Sequence, residues 1–410
     1  MTSARPPLRL TPFRATTYAP GTDLAAVVCP LYDVIGDRLA TFEAQDPHNI
    51  VHLTLPRPAP GEDDRYARAA RSLAAWREAG VLVRDPSPAL YVYEHTTDGG
   101  AAIGLVGGVG IDGPVLPHEN TFPGPVADRA ALMSATRMQL EPILLTYDGG
   151  GAASDVVDRT AATAPMLEFT VAGQVHRLWR IADPGELAEI AADLAGRTAL
   201  IADGHHRFAA YRAVHAAGEA PIGADHGLAL LVDAARHPLE LRGIHRSVGG
   251  LSFDDAAAAA AKGFDVVPLS AGDEPAAVLG AERGTAFVIG AGTRLALLRS
   301  PRSSVIDDAV PADRPEGWRD LDAGVLVDVL LAHLWGVDDA DPRVSYHHNG
   351  SDALLAAGRE AGVAVLTRPP ALDDVLALAA RGERMPRKST SFGPKPWTGL
   401  LMRELTTDHQ

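Results

Sequence analysis

The stretch from Thr198 to His215 constrains the fold more than any other part of the chain. It begins with the apolar run 199–202, which is typical of a buried strand, and breaks at Asp203-Gly204. Apolar residues then recur at a spacing of three, which indicates a helix. The sequence therefore predicts a strand, a tight turn and a helix in direct succession.

The turn in this stretch carries polar side chains that suit an anion. His205, His206 and Arg207 follow Gly204 at the start of the predicted helix. The first N–H groups of a helix are unpaired and its N-terminus is partly positive, so this position favours anions such as phosphate. Gly204 would allow the backbone to turn or to approach a ligand closely. The alternative interpretation is structural, with Asp203 as the helix cap and both histidines simply solvated.

Two other segments carry comparable chemistry. His118 and Glu119 follow an apolar strand and a proline, and they could form a general base or a pair of metal ligands, or merely a polar loop. Near the C-terminus, hydroxyl and ammonium donors for an anion lie close together, although a flexible polar tail would have a similar composition. Phe392 and Trp397 favour an ordered loop here. The donors are Lys388, Ser389, Thr390 and Lys395.

Weaker candidates lie in the N-terminal part of the chain and after residue 240. Asp33 and Asn49 could face a ligand, but both residue types are also common in turns. The segments 25–30, which ends at a proline, and 49–53 are expected to be strands. His245-Arg246 follows a buried strand, and Arg246 could equally be a structural partner in an ion pair.

Charge and composition exclude several classes of protein. The formal net charge of −15 argues against nucleic acid as the main partner, because duplex binding usually needs a basic face. Only one cysteine occurs, Cys29, so we expect neither an intramolecular disulfide nor a cysteine-based zinc site. The opening residues show no signal-peptide pattern, and no run of eighteen apolar residues occurs. We therefore expect a soluble cytoplasmic protein, with an oligomeric state that the sequence leaves open.

Strands alternate with helices and with several hairpins, among them 167–180 and 286–298, which favours the α+β class with mixed sheets and flanking helices. We expect three consecutive regions. Residues 1–96 would form an N-terminal α/β region, and 97–250 a central region with the histidine-glutamate and Asp-Gly-His-His-Arg motifs. Residues 251–410 would form a C-terminal α+β region that ends in the Met385–Thr390 loop.

The motifs resemble those of a known family over nearly the whole chain. The sequence is similar to the bacterial and archaeal "domain of unknown function 1015" family in eight blocks that occur in the same order. It departs mildly at Cys29, where proline is usual, at Phe208, where tyrosine is usual, and at Gly393, where an aromatic residue is usual. The matching blocks are Cys29–Val34, Asn49–Leu53, Leu90–Glu94, Pro117–Thr121, Asp128-Arg129, Ile201–Arg207, His245-Arg246 and Met385–Thr390.

The Asp203–Arg207 block also looks like the second signature of the ParB/sulfiredoxin-like superfamily. Members of that superfamily use such a strand-to-helix turn to hold nucleotide phosphates, and one branch, the free serine kinases, carries a very similar motif with an upstream glutamate. The resemblance implies a ParB/sulfiredoxin-like core and a site for a nucleoside di- or triphosphate. The acidic net charge argues against carrying DNA binding over with it.

Resemblance and residue chemistry together give one leading hypothesis, a phosphotransferase that acts on a small hydroxyl-bearing metabolite. In this hypothesis Glu119 is the base, and Asp203 and His205 are also catalytic, with Asp203 holding Mg²⁺ or orienting the acceptor. The groups assigned to the phosphates are Gly204, His206, Arg207, Lys388, Ser389, Thr390 and Lys395. The groups assigned to the substrate are His118, Asp33, Asn49, His245 and Arg246.

Two alternatives remain at this stage. A nucleotide-binding regulatory or ParB-like module would need the same phosphate site but no base. A metal-dependent hydrolase could use His118, Glu119 and Asp203 with either His205 or His347. The hydrolase ranks last, because adjacent histidines seldom bind one metal and no His-Glu-x-x-His helix is present.

Overall fold

The computed structural model describes residues 6–58, 64–97, 100–218 and 220–405. The chain forms two compact units, each discontinuous in sequence. The first unit comprises Met1–Pro117, Thr121–Glu240 and Gly393–Gln410, and the second comprises His118–Asn120 and Leu241–Phe392. Among the described residues, no helix is both long enough and apolar enough to span a membrane.

The strands of the described residues are, in chain order, β1 Leu10–Thr11, β2 Ala15–Tyr18, β3 Leu82–Arg84, β4 Leu90–Thr97, β5 Gly100–Gly110, β6 Val115–Leu116, β7 Met138–Gln139, β8 Ile143–Tyr147, β9 Leu167–Val171, β10 Gln174–Ile181, β11 Ala199–Asp203, β12 His226–Asp233, β13 Glu240–Arg242, β14 His245–Val248, β15 Asp265–Pro268, β16 Ala286–Ala291, β17 Arg294–Arg299, β18 Val344–His347, β19 Val363–Leu366, β20 Ser391–Gly393 and β21 Met402–Glu404.

The α-helices of the same residues are α1 Leu24–Val27, α2 Tyr32–Ile35, α3 Leu39–Gln45, α4 Val51–Thr54, α5 Arg65–Glu78, α6 Pro123–Thr136, α7 Ala152–Ala161, α8 Pro184–Leu194, α9 His205–Ala216, α10 Phe253–Ala260, α11 Pro275–Ala281, α12 Ser303–Ala309, α13 Asp322–Gly324, α14 Gly350–Arg359 and α15 Leu372–Ala380. Short 3₁₀ segments cover Gly36–Arg38 and Glu316–Asp320, and a π-helix covers Val325–Leu334.

The first unit is built on a nine-stranded mixed sheet. Eight strands lie in the order β6-β11-β8-β12-β5-β4-β10-β9, and β1 pairs with β5. β11 runs parallel to β6 and antiparallel to β8, while β12 runs parallel to β8. Apolar side chains of the sheet and of α7, α8 and α9 form one core, which includes Ala199 and Ile201 of β11.

A smaller sheet of the first unit joins distant parts of the chain. Its order is β3-β2-β21-β7, so the C-terminal strand β21 pairs with strands from the beginning and the middle of the chain. Cys29 also forms an isolated bridge with Thr398. These contacts bring the segment 393–405 back into the first unit.

The second unit has a six-stranded sheet in the order β15-β17-β16-β19-β14-β18. The β16–β17 hairpin predicted from sequence is present, with Gly292 at a positive φ in its turn. Helices and the π-helix cover one face of this sheet with a core that includes Phe264, Phe287 and Val329. A separate apolar cluster includes residues of α11 and α14.

The α+β class with mixed sheets is confirmed, but the division of the chain differs from the three consecutive regions expected. Strands of the expected regions 1–96 and 97–250 share one sheet, and the C-terminal strand belongs to the first unit. The strands expected at 25–30 and 49–53 are wrong, because most of these apolar residues belong to the short helices α1 and α4. Both runs are apolar enough to be buried in either conformation, so periodicity could not distinguish them.

Candidate functional site

The strand–turn–helix stretch has the predicted structure. β11 ends at Asp203, Gly204 adopts φ 98° and ψ 30°, and α9 begins at His205. The pairing of β11 with β8 shifts register between Ile201 and Asp203, which re-aims the end of the strand. Within the part of the chain that the structure describes, no side chain caps the N-terminus of α9. The helix therefore begins with an uncapped turn, as an anion site requires.

Gly204 cannot be replaced without strain. A Cβ atom at this position would lie 2.8 Å from Ile143 Cγ2, and the positive φ is unfavourable for other residues. We expect Gly204→Ala to lower the free energy of unfolding by about 2–4 kcal/mol, from backbone strain plus overpacking. Gly80→Ala is the matched control, since Gly80 has a positive φ but open space around it. Chemical denaturation of both variants tests this, and equal losses would contradict a steric role for Ile143.

Asp203 is held by two cations. Lys395 Nζ lies 2.5 Å from Asp203 Oδ1, and Arg207 Nη2 lies 2.5 Å from Asp203 Oδ2. Lys395 Nζ is also 3.7 Å from Asp33 Oδ2. The sequence assigned Lys395 and Asp203 to one site although they lie far apart in the chain, and the structure brings them together in the first unit.

The charges at this turn shift one another's ionisation. Burial alone would raise the pKa of Asp203, but Lys395 and Arg207 outweigh it and lower that pKa to about 2. Burial opposes the charge of Lys395, yet the carboxylates of Asp203 and Asp33 raise the pKa of its ammonium. Asp203 is therefore an anion at neutral pH and does not act as a proton donor there.

Arg207 is committed to the protein. Its side chain is 2 % exposed, and it donates to the Pro142 carbonyl as well as to Asp203. The sequence assigned Arg207 to a phosphate, but burial and these contacts do not favour direct contact with a ligand. Arg207 instead links Asp203 at the end of β11 to Pro142, the residue that precedes β8.

A second layer of charge, which the sequence analysis did not single out, surrounds Arg207. Glu141 is 5 % exposed, accepts a hydrogen bond from Tyr32 N at 2.9 Å and lies 3.7 Å from Arg129 Nη1. The guanidinium of Arg129 lies 4.4 Å from the ring centroid of Tyr32, a cation–π contact. The block Asp128-Arg129 within the family resemblance was the available signal for this layer.

The main chain of Lys395 is fixed by a buried aromatic cluster. His95 Nδ1 lies 3.0 Å from the Lys395 carbonyl, and Tyr93 Oη accepts a hydrogen bond from Trp397 N at 3.3 Å. The rings of His95 and His176 stack at 4.5 Å. Burial lowers the pKa of His95, and it lowers that of His176 to about 3, so both rings stay neutral at physiological pH. The cluster therefore orders the loop that delivers Lys395.

The two histidines of the turn, His205 and His206, are more exposed than Arg207. Both are partly exposed at the start of α9. Phe122 N donates to His206 Nε2 at 3.0 Å, and the two rings stack with centroids 5.9 Å apart. The positive charge that His205 can carry helps to lower the pKa of Asp203. Their predicted roles remain predictions.

The two N-terminal candidates, Asp33 and Asn49, differ in their exposure. Asp33 is exposed and lies beside Lys395, near the turn at Asp203. Asn49 is fully buried, donates to the Ala26 carbonyl at 2.8 Å and accepts from Val51 N at 3.0 Å. These contacts make Asn49 the organiser of a turn and do not favour contact with a substrate.

Glu119 and its predicted neighbours lie in the second unit. Glu119 Oε1 accepts hydrogen bonds from Ser389 N at 3.3 Å and from Thr390 Oγ1 at 3.2 Å. Burial raises the pKa of Glu119, and the charge of Lys388 and the hydrogen bonds from Ser389 and Thr390 only partly oppose this. A raised pKa suits a carboxylate that must accept a proton near neutral pH.

The other candidates of the second unit are mostly structural in their contacts. His118 is fully buried, with Nε2 2.8 Å from Thr390 Oγ1, and Ser389 donates its hydroxyl to the Pro386 carbonyl at 2.5 Å. Arg246 is 1 % exposed and pairs with Asp339, as the structural alternative suggested. His245 accepts from Thr367 N, and burial lowers its pKa to about 4. Lys388, by contrast, is exposed.

The described residues offer a divalent metal no prepared site. They contain no group of three or more histidine, cysteine, aspartate or glutamate side chains placed to hold a metal ion. Both oxygens of Asp203, the residue assigned to Mg²⁺, already pair with cations. The residues present at the turn therefore do not fit a metal held by the protein.

Comparison with known proteins places the chain in a family. The family model described as "Protein of unknown function (DUF1015)" matches residues 10–323. The chain belongs to this family. No curated protein sequence matches it.

Solved structures show only distant likeness. A free serine kinase variant in complex with ADP has 14 % sequence identity and a TM-score of 0.40, with 74 % of this chain and 91 % of that chain covered. SbnI from Staphylococcus aureus has 11 % identity, a TM-score of 0.38, and coverage of 72 % and 86 %. A conserved hypothetical protein from Pyrococcus furiosus has 15 % identity, a TM-score of 0.36, and coverage of 73 % and 94 %. Likeness at this distance carries no argument about the chemistry of this chain.

Proposed function

We propose that the chain is a phosphotransferase that moves a phosphoryl group from a nucleoside di- or triphosphate to the hydroxyl of a small metabolite. The observation that carries the proposal is Lys395, a largely buried ammonium delivered by an ordered loop to the uncapped start of α9. Phosphoryl transfer depends mainly on positioning and on compensation of negative charge, which these two features supply. The single buried Cys29 suits a cytoplasmic protein.

The phosphates would bind at the N–H groups of the first turn of α9, with Gly204 and His206 beside them. Lys395 would keep its contact with Asp203 and donate another N–H of its ammonium to a phosphate oxygen, since its side chain keeps some exposure. Asp203, fixed by Arg207, would then hold Lys395 at the correct distance. Asp33 is the exposed carboxylate beside Lys395 and is the group proposed to face the acceptor.

The step balances without another reactant. The acceptor oxygen forms a bond to the transferred phosphorus, the bond from that phosphorus to the nucleotide oxygen breaks, and the leaving nucleotide keeps the electron pair. The acceptor proton goes to a base. We propose Glu119 for that role on the sequence resemblance and on its raised pKa. Because Glu119 belongs to the second unit, its role is tested separately from nucleotide binding.

The first test is thermal stabilisation by nucleoside mono-, di- and triphosphates and by pyrophosphate, each with Mg²⁺. A ligand at one hundred times its dissociation constant should add about 2.7 kcal/mol to the free energy of unfolding. We expect this gain in the wild type and its loss in Lys395→Met, each measured against the same protein without ligand. Lys262→Met is the matched control, because Lys262 is an exposed lysine outside the site.

Product analysis with a panel of small alcohols then separates the candidate functions. Nucleotide binding with transfer supports the phosphotransferase. Binding without any product supports the non-catalytic nucleotide module instead, and no binding by any phosphate compound removes both. The metal-dependent hydrolase has no support from the described residues, which lack a metal-ligand cluster.

A further inference from the structure

The second unit contains a cavity of about 340 Å³ that the proposed phosphoryl transfer does not use. It lies where β14 begins and β19 ends, two neighbouring antiparallel strands. Thr367 joins them there, since its N–H donates to His245 Nδ1 at 3.1 Å and its hydroxyl to the Ile244 carbonyl at 3.3 Å. The volume is at the lower end of that of small-molecule sites.

Two motifs of the sequence meet at this cavity. Arg246 comes from the His245-Arg246 block, and Met385 and Ser389 come from the Met385–Thr390 block. Arg246 donates to the Lys388 carbonyl at 2.9 Å and to the Arg387 carbonyl at 3.2 Å. This buried guanidinium therefore fixes the loop that forms one wall, so the wall exists before any ligand arrives.

A second arginine fixes another wall. Arg368 donates to Asp322 Oδ2 at 2.7 Å and to the Gly284 carbonyl at 2.7 Å, and it also donates to the Glu282 carbonyl. It thereby holds the segment that carries Arg283. Apolar side chains line the remainder of the cavity, including Leu321 and Leu326. The cavity therefore combines apolar side chains with fixed polar groups, and such polar groups give a ligand site its specificity.

Three charged side chains that line the cavity have no partner within the described residues. Arg246 and Arg368 pair with Asp339 and Asp322. Arg283, Asp320 and Asp374 also line the cavity and are exposed, and within the described residues no hydrogen bond or ion pair of their side chains is found. One guanidinium and two carboxylates therefore remain to meet a ligand.

We propose that this cavity binds a small zwitterion of the basic amino acid class, with a carboxylate at Arg283 and ammonium groups at Asp374 and Asp320. A guanidinium favours a carboxylate through charge-assisted, bidentate hydrogen bonds. The excess of one carboxylate over the guanidinium favours a ligand with more positive than negative groups. The site is distinct from the turn at Asp203, since all its lining residues belong to the second unit.

Titration calorimetry of the whole chain with four probes at low ionic strength tests this proposal. Lysine carries both kinds of group, cadaverine lacks the carboxylate, 6-aminohexanoate lacks the α-amine, and glutamate reverses the balance of charge. We expect lysine to bind most tightly, and the two truncated probes to bind about tenfold more weakly, which corresponds to one lost charged contact. Glutamate should not bind.

Variants of Arg283 and Asp374 test which cavity residue contacts each charged group of the ligand. Arg283→Gln should weaken lysine about tenfold and leave cadaverine unchanged, whereas Asp374→Asn should weaken both. The matched controls, Arg359→Gln and Asp373→Asn, change exposed residues of the second unit outside the cavity and should change neither. The proposal is overturned if lysine does not bind, if glutamate binds as tightly as lysine, or if the controls weaken lysine as much as the cavity variants. Because nucleotides are absent, failure here leaves the phosphotransferase proposal untouched.

Discussion

Replacing Arg207 by methionine should lower the free energy of unfolding by about 3–5 kcal/mol. The variant keeps most of the side-chain volume but leaves Asp203 and Glu141 with one buried cation fewer, and an uncompensated buried charge is costly. Thermal or chemical denaturation measures the loss. The exposed pair of Arg159 and Glu189 supplies the control, since Arg159→Met should cost less than about 1 kcal/mol.

The same network predicts how stability depends on pH. Asp203 has its pKa lowered from 3.8 to about 2, so its pairing contributes stability that is fully present above its ordinary pKa. That contribution is lost as the pH falls through 3.8 towards 2. The difference in stability between the wild type and Asp203→Asn should therefore shrink over this window. A stability difference that stays constant down to pH 2 would show that Lys395 and Arg207 do not lower the pKa of Asp203.

The second large effect concerns Glu119. Glu119→Gln should lower turnover by about 10²–10⁴-fold and leave the affinity for nucleotide unchanged, because glutamine can still accept from Ser389 N and Thr390 Oγ1 but cannot take a proton. The readout is product formation with the acceptor that the alcohol panel identifies. Unchanged turnover in this variant would remove Glu119 as the base.

The pH profile gives an independent check on Glu119. A base works only when ionised, so activity should fall as the pH drops through its pKa. Burial raises that pKa, and the acid limb of the wild type should therefore lie above the ordinary range of a glutamate. Glu360→Gln, a change at an exposed glutamate of the second unit, should keep the same acid limb.

Sequence-based interpretation worked where the signal is local. The run 199–202, the break at Gly204 and the spacing of apolar residues after it correctly predicted β11, the turn and α9, because strand, turn and helix each have a short-range pattern. The hairpin of β9 and β10 was predicted for the same reason. The strand prediction for 49–53 was wrong because a short apolar run has no diagnostic periodicity. In the structure the buried Asn49 accepts a hydrogen bond from Val51 N, where α4 begins.

The sequence by itself therefore determined the α+β class, the strand, turn and helix around Gly204, and the presence of Lys395 in a segment rich in hydroxyl and ammonium groups. Only the tertiary structure decided the chemistry of these residues. It paired Lys395 with Asp203, turned Arg207 inward and buried His118 and Asn49, so that candidates grouped together from the sequence lie in different environments. The physical reason is that burial and charge pairing depend on neighbours brought together by strand pairing across the whole chain, which no local pattern encodes.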